Sequence, residues 1–136
     1  MGSTASAQAS AGPEGAPLVL VIDDDADSRA ICERALRAGG YRIATAASGE
    51  EGLAQLEGLE PALIVLDLAM PGTDGFAVAR AIRARPRVAD LPILIITGLS
   101  REAEAPARAA GGTAFCAKPM EAGRLLAAVR RLCPLG

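Results

Sequence analysis

At 136 residues, half of them apolar (51%), the chain has the size and hydrophobic content of one domain with a real core. A net charge of −2, no basic stripe, and only one tyrosine and two phenylalanines to stack on bases argue against direct nucleic-acid binding. The chain has no histidine, which removes histidine acid–base catalysis, histidine metal ligands and any phosphohistidine relay of its own. Residues 1–16 lack the cationic start and apolar centre of a secretory signal and are expected to form a disordered arm ahead of a domain spanning 17–134. Leu18–Ile22 is a continuous apolar run, the pattern of a strand covered on both faces, and it ends in Asp23-Asp24-Asp25. Ala26–Ala38 places Ile31, Ala35 and Leu36 at helical spacing and stops at Gly39-Gly40. Tyr41–Ala46 is a weaker second strand, and Ser48-Gly49-Glu50-Glu51 is a capping box that opens a second helix. A third strand, Leu63–Leu66, runs into Asp67, after which Thr73 or Asp74 caps a helix carrying Phe76, Val78, Ala79 and Ile82. Ile93–Ile96 leads to Thr97, Thr113–Ala117 leads to Lys118-Pro119, and Glu121–Leu132 closes the chain with Leu125, Leu126, Val129 and Leu132 on one helical face.

Five strands alternating with helices define an α/β fold: a doubly wound, five-stranded parallel sheet of the flavodoxin-like order 2-1-3-4-5, with helices on both faces. In that order the first and third strands are neighbours, so Asp23, Asp24 and Asp67 converge on one crevice, with Thr97 and Lys118 at the next strand ends. Lys118 is the only lysine among 14 basic residues, and a compact ammonium is not interchangeable with a guanidinium fork. The arginines of Arg80–Arg87 and Arg124–Arg131 read as solvated helix faces. The three cysteines, Cys32, Cys116 and Cys133, fit no metal-ligand spacing and read as free thiols in a reducing, cytoplasmic setting. No apolar run approaches the ~20 residues of a membrane span.

Three clustered carboxylates repel one another, so the group needs a cation or one member must hold a proton. Their hard oxygens select Mg²⁺, or Mn²⁺, over zinc, and magnesium completes its shell readily with phosphate oxygens. Asp67 is a nucleophile suited to phosphorus, with Lys118 and the hydroxyl of Thr97 placed to neutralise phosphoryl oxygens.

At these residues the sequence resembles the receiver domain of two-component response regulators. The runs LVLVIDDDADSR, LIVLDLAMPGTDGF, LPILIITG and AFCAKPM carry the likeness, which covers residues 17–134. The resemblance implies Asp67 as phosphoacceptor, Asp24 as a direct metal ligand, Asp23 as a ligand largely through water, and the carbonyl of Ala69 as a third ligand. It further implies that Thr97 turns toward the phosphoryl group, that Phe115 is the aromatic switch, and that Lys118–Pro119 is a cis peptide. A sensor histidine kinase or histidine phosphotransfer protein would donate the group. A downstream protein would read the face of the fourth helix, fifth strand and fifth helix.

The chain departs from that pattern in three places. Pro106 interrupts Ser100–Ala110, so the fourth helix is expected to be short or loosely held. The segment from Thr97 to Lys118 is about one residue tighter than the pattern leads one to expect. Ala69 and Leu99, each two residues past a site residue, are apolar and cannot orient an attacking water, which predicts slow self-dephosphorylation. Two rival readings stand beside the receiver. One is a magnesium-dependent phosphatase built on Asp23 and Asp25; the other is a scaffold that has lost phosphorylation. The chain is too short to carry an output domain as well, so output is expected through a separate protein or through a longer chain of which this is a part.

Overall fold

A computed structural model describes residues 15–70, 72–98, 101–118 and 121–135. Residues 1–14 of the expected arm, Leu99, and Pro119 of the expected cis bond lie outside them. Five parallel strands, β1 (Leu18–Ile22), β2 (Arg42–Ala46), β3 (Leu63–Asp67), β4 (Ile93–Thr97) and β5 (Ala114–Ala117), form one sheet in the order β2-β1-β3-β4-β5. Five α-helices connect and follow them: α1 (Ala26–Ala38), α2 (Gly49–Gln55), α3 (Gly75–Arg83), α4 (Glu104–Ala110) and α5 (Ala122–Leu132). The order is the one the strand and helix alternation predicts.

Each central strand is apolar on both sides because each side is covered. Leu20, Ile22, Ile64, Leu66, Ile93 and Ile95 pack with Val78, Ala79 and Ile82 of α3 and Ala107 of α4. The alternate residues Val19, Val21, Leu63, Val65, Leu94 and Ile96 pack with Cys32 and Leu36 of α1 and Leu125 and Val129 of α5. This period-two division between two cores is why the strands read as continuous apolar runs.

Local signals set the helix starts. Asp25 caps α1, its Oδ1 accepting from the Asp27 N–H at 3.3 Å and its Oδ2 from the Ser28 hydroxyl at 2.9 Å. Ser48 Oγ accepts from the Glu51 N–H at 3.0 Å, and Glu51 reaches back to accept from the Ala47 N–H at 3.0 Å, a reciprocal capping box. Asp74 caps α3 through the Phe76 N–H at 3.0 Å.

Three details differ from the sequence reading. Ile31 is 45% exposed, and Cys32 rather than Ile31 faces the core from α1. The fourth helix is short, as expected, but Pro106 does not interrupt it: it is the third residue of α4, in the first turn, where backbone N–H groups have no partner within the helix, and it breaks no bond there. The guanidinium of Arg83 is not a solvated charge: it donates to the carbonyls of Gly111 (2.6 and 3.1 Å) and Ala89 (2.9 Å), tying the end of α3 to the turn between α4 and β5. At the other end of the sheet the Tyr41 hydroxyl donates to the Cys133 carbonyl at 2.6 Å and holds the C-terminal turn against the start of β2. Among the described residues no helix is long and apolar enough to cross a membrane.

Candidate functional site

Register brings the acidic residues together. Ile22 of β1 lies opposite Leu66 of β3, so Asp23 and Asp67 follow neighbouring strands at the same level. Asp67 in turn lies opposite Ile96, immediately before Thr97. Thr97 pairs with Ala117, and the Lys118 N–H donates to the Thr97 carbonyl at 2.9 Å, so the last two strands deliver their polar residues to the same edge. Asp23 is 0% and Asp67 2% exposed, whereas Asp24 is on the surface. One oxygen from each of the three carboxylates lies within 4.8 Å of the others; among the described residues no other such cluster occurs.

Lys118 closes the group. Its Nζ donates to Asp67 Oδ2 at 2.9 Å and stands 3.2 Å from Asp23 Oδ2. A single ammonium thus faces two buried carboxylates. Burial pulls the ammonium toward its neutral form, but the hydrogen bond to Asp67 and the charges of Asp67 and Asp23 outweigh it and hold Lys118 above the ordinary lysine value. Asp23 goes the other way. Burial raises its pKa, the hydrogen bond from the Asp25 N–H lowers it, Asp67 adds to the rise and Lys118 opposes it, with a net upward shift. The site is therefore short of positive charge. At an effective dielectric of ~20, two carboxylates no more than 4.8 Å apart repel by roughly 3.5 kcal/mol or more.

The remaining lone pairs show where a cation fits. Asp23 Oδ1 accepts from the Asp25 N–H at 3.0 Å and Asp67 Oδ1 from the Ala69 N–H at 3.0 Å. Asp23 Oδ2 is buried and accepts no hydrogen bond; its contact with Lys118 is ionic only. A buried anionic oxygen left without a donor, beside two more carboxylates and no thiolate or imidazole, suits a hard divalent cation such as Mg²⁺. Ala69, expected as a carbonyl ligand, is exposed and directly follows the Asp67 turn, pairing with Asp74 in a short antiparallel bridge. Thr97 and Phe115 are half-buried at and behind the same edge.

Two supports for the acidic residues were not legible as such. Arg29, in the second turn of α1, donates to the backbone carbonyl of Asp23 at 2.8 Å and fixes the turn that presents Asp23 and Asp24. The only hint was its position six residues beyond Asp23. Gly75 supports Asp67: a Cβ there would stand 2.6 Å from the Leu68 Cα and 2.8 Å from its carbonyl oxygen, so only glycine lets α3 begin against the backbone that follows Asp67. Of the two caps the sequence offers, Thr73 and Asp74, it is Asp74 that fulfils the role, and nothing in that reading discloses the close approach at Gly75. Asp25 spends both carboxylate oxygens on capping α1, which leaves the phosphatase reading without its second aspartate.

Comparison with known proteins points to one family. The response regulator receiver domain family matches residues 19–130. The transcriptional regulatory protein AfsQ1 of Streptomyces coelicolor is 41% identical over 111 residues, covering 81% of this chain and 48% of that protein. The transcriptional regulatory protein PrrA of Mycobacterium tuberculosis is 38% identical over 117 residues, 85% of this chain and 49% of the relative. The chain thus spans about half the length of these curated relatives. Among solved structures, the chemotaxis response regulator CheY4 of Vibrio cholerae superposes with a TM-score of 0.82 at 31% identity, covering 86% of this chain and 98% of that one. A putative response regulator of Chloroflexus aurantiacus gives 0.81 at 33% identity, with 86% and 97% covered. With its sheet order, its acidic crevice and these relatives in agreement, the chain belongs to the receiver-domain family of two-component response regulators.

Proposed function

We propose that this receiver is a phosphorylation-operated binding switch whose phosphoacceptor is Asp67. The observation that carries the reading is the Lys118 ammonium, 2.9 Å from Asp67 and 3.2 Å from Asp23, with the Asp24 carboxylate alongside. A carboxylate oxygen of Asp67 attacks the phosphorus of a phosphohistidine on a sensor histidine kinase or histidine phosphotransfer protein. The P–O bond forms as the P–N bond breaks, and the departing imidazole nitrogen takes up a proton. Lys118 turns from bridging two carboxylates to neutralising phosphoryl oxygens, and the Thr97 hydroxyl moves toward the same group. Asp23, Asp24, Asp67 and the Ala69 carbonyl hold Mg²⁺, with Mn²⁺ as a substitute. The ion supplies the positive charge that the acidic cluster lacks.

The chain catalyses only its own phosphorylation and dephosphorylation and turns over no separate substrate. The acyl phosphate shifts an existing equilibrium between two conformers, with Thr97 and Phe115 as the moving parts. A downstream protein reads the α4–β5–α5 face in the cytoplasm, and neither nucleic acid nor membrane is bound by this domain itself. Incubation with acetyl phosphate and Mg²⁺ tests the reading. The intact mass should rise by one phosphoryl group, and neither Asp67→Asn nor chelated protein should show the gain. Undiminished labelling of Asp67→Asn would move the acceptor elsewhere; no labelling of the wild type would leave a scaffold.

A further inference from the structure

We propose that Arg108 is a latch on Phe115 that favours the unphosphorylated conformer; this rests on the reading above of Phe115 as a moving part of the switch. The guanidinium carbon of Arg108 stands 4.6 Å from the centroid of the Phe115 ring, inside the ~6 Å over which a cation is attracted to an aromatic face. Two contacts aim it there. Glu104, one turn earlier on α4, accepts from Arg108 at 3.2 Å, and the Thr113 carbonyl, just before β5, accepts at 3.4 Å. One side chain therefore spans from α4 to β5 with the ring beneath it.

The ring's surroundings give the latch a direction. Phe115 is in register with Ile95, and Thr97 lies two residues further along β4, opposite Ala117. Side chains two residues apart on a strand share a face, so Thr97 and Phe115 share one side of the sheet, with the ring one step behind the site. At its tip the ring meets Gly112, where an added Cβ would lie 3.2 Å from Phe115 Cζ and 2.8 Å from Ile95 Cγ1. A Cβ there would press chiefly on Ile95 and crowd the ring tip by a few tenths of an ångström. A ring that moves toward Thr97 leaves the Arg108 guanidinium, while a ring that stays keeps it. The contact thus stabilises one conformer selectively, which is the condition for shifting a two-state equilibrium. For a cation–π contact at an exposed site the shift is about two- to five-fold.

The chain's two phenylalanines, Phe76 and Phe115, make the test direct. Protein labelled with 4-fluorophenylalanine gives two ¹⁹F resonances, assigned with Phe76→Leu, which are followed with and without beryllofluoride and Mg²⁺. In Arg108→Gln the unliganded Phe115 resonance should move toward its beryllofluoride-bound position, by the two- to five-fold change in population. The initial rate of phosphoryl uptake from acetyl phosphate should rise by the same factor. Arg108→Lys, which keeps a cation over the ring, should retain most of the wild-type position. Glu104→Gln, whose amide oxygen still accepts from Arg108 and keeps it aimed, should leave the resonance unmoved. The Arg108 side chain is 55% exposed, so these variants are expected to fold. If beryllofluoride moves the wild-type Phe115 resonance but Arg108→Gln does not, the latch is overturned and the switch stands. If beryllofluoride leaves that resonance in place, both are overturned.

Discussion

Removing the ammonium of Lys118 isolates the electrostatics of the site. In Lys118→Met the apolar stem is nearly preserved, while Asp23 and Asp67, buried and within 4.8 Å of each other and of Asp24, lose their cation. The wild-type contacts at 2.9 and 3.2 Å are each worth roughly 5 kcal/mol of Coulomb attraction at an effective dielectric of ~20, much of it cancelled by the desolvation of all three groups. The net loss has a ceiling, because the variant can protonate Asp23. At pH 7 that step costs about 1.4 kcal/mol for each unit between 7 and the ordinary aspartate value of 3.8, or roughly 4.4 kcal/mol. A destabilisation of about 2–4 kcal/mol is therefore expected at pH 7 in the presence of a chelator. At pH 5 the same ceiling falls to roughly 1.6 kcal/mol, since protonation is then easier. The sign is fixed by linkage: the folded variant binds more protons than its unfolded chain above pH 3.8, so its stability falls as pH rises. Urea titrations of both proteins at pH 5 and pH 7 measure the difference, and added Mg²⁺ should restore part of the loss at pH 7. An equal loss at both pH values would show that packing of the stem, not charge, had been removed, and the reasoning would fail.

Other expectations follow from single contacts. Burial, aided by the nearby Asp23 charge, pushes the Cys32 thiol up to about 12, against 9.0 for a free thiol. The folded state thus keeps a proton that the unfolded chain loses, and stability should fall above pH 9 by about 1.4 kcal/mol per pH unit from this group. Denaturation of wild type and Cys32→Ala between pH 8.5 and 10.5 checks it: their stabilities should converge as pH rises, and parallel curves would be contrary. Gly75→Ala should cost about 1–3 kcal/mol and slow phosphoryl uptake, because the Leu68 backbone beside Asp67 must move; urea titration and uptake rates would show an unaltered variant if the close approach is unimportant. With Ala69 and Leu99 both apolar, the phosphoryl group on Asp67 should persist for minutes or longer after the donor is removed, and decay within seconds, followed by intact mass, would count against this.

The sheet and its order were legible because burial on both faces writes itself as continuous apolar runs, and because Ser48, the Thr73-Asp74 pair and Gly39 punctuate the helices with caps and stops. The acidic cluster was legible because strand ends in this topology meet at one edge, so a list of strand-terminal residues is also a list of neighbours. What escaped was set by tertiary contact. Ile31 and Cys32 are adjacent and both suit an apolar face, and only the packing of α1 on the sheet turns Cys32 inward and leaves Ile31 exposed. Arg29, Arg83 and Arg108 are all basic residues within helices, yet one holds the Asp23 carbonyl, one clamps the turn at Gly111, and one lies over Phe115. Their separate roles depend on backbone carbonyls and a ring brought near by folding, and no spacing rule encodes those.

The most direct measurement is a crystal structure of the protein with Mg²⁺ and beryllofluoride. Beryllium should be bonded to a carboxylate oxygen of Asp67, the metal bound by Asp24, Asp67 and the Ala69 carbonyl with Asp23 nearby, and the Lys118 ammonium within hydrogen-bonding distance of the adduct. An adduct on another carboxylate, or a metal seated away from these residues with Lys118 turned to solvent, would contradict the account.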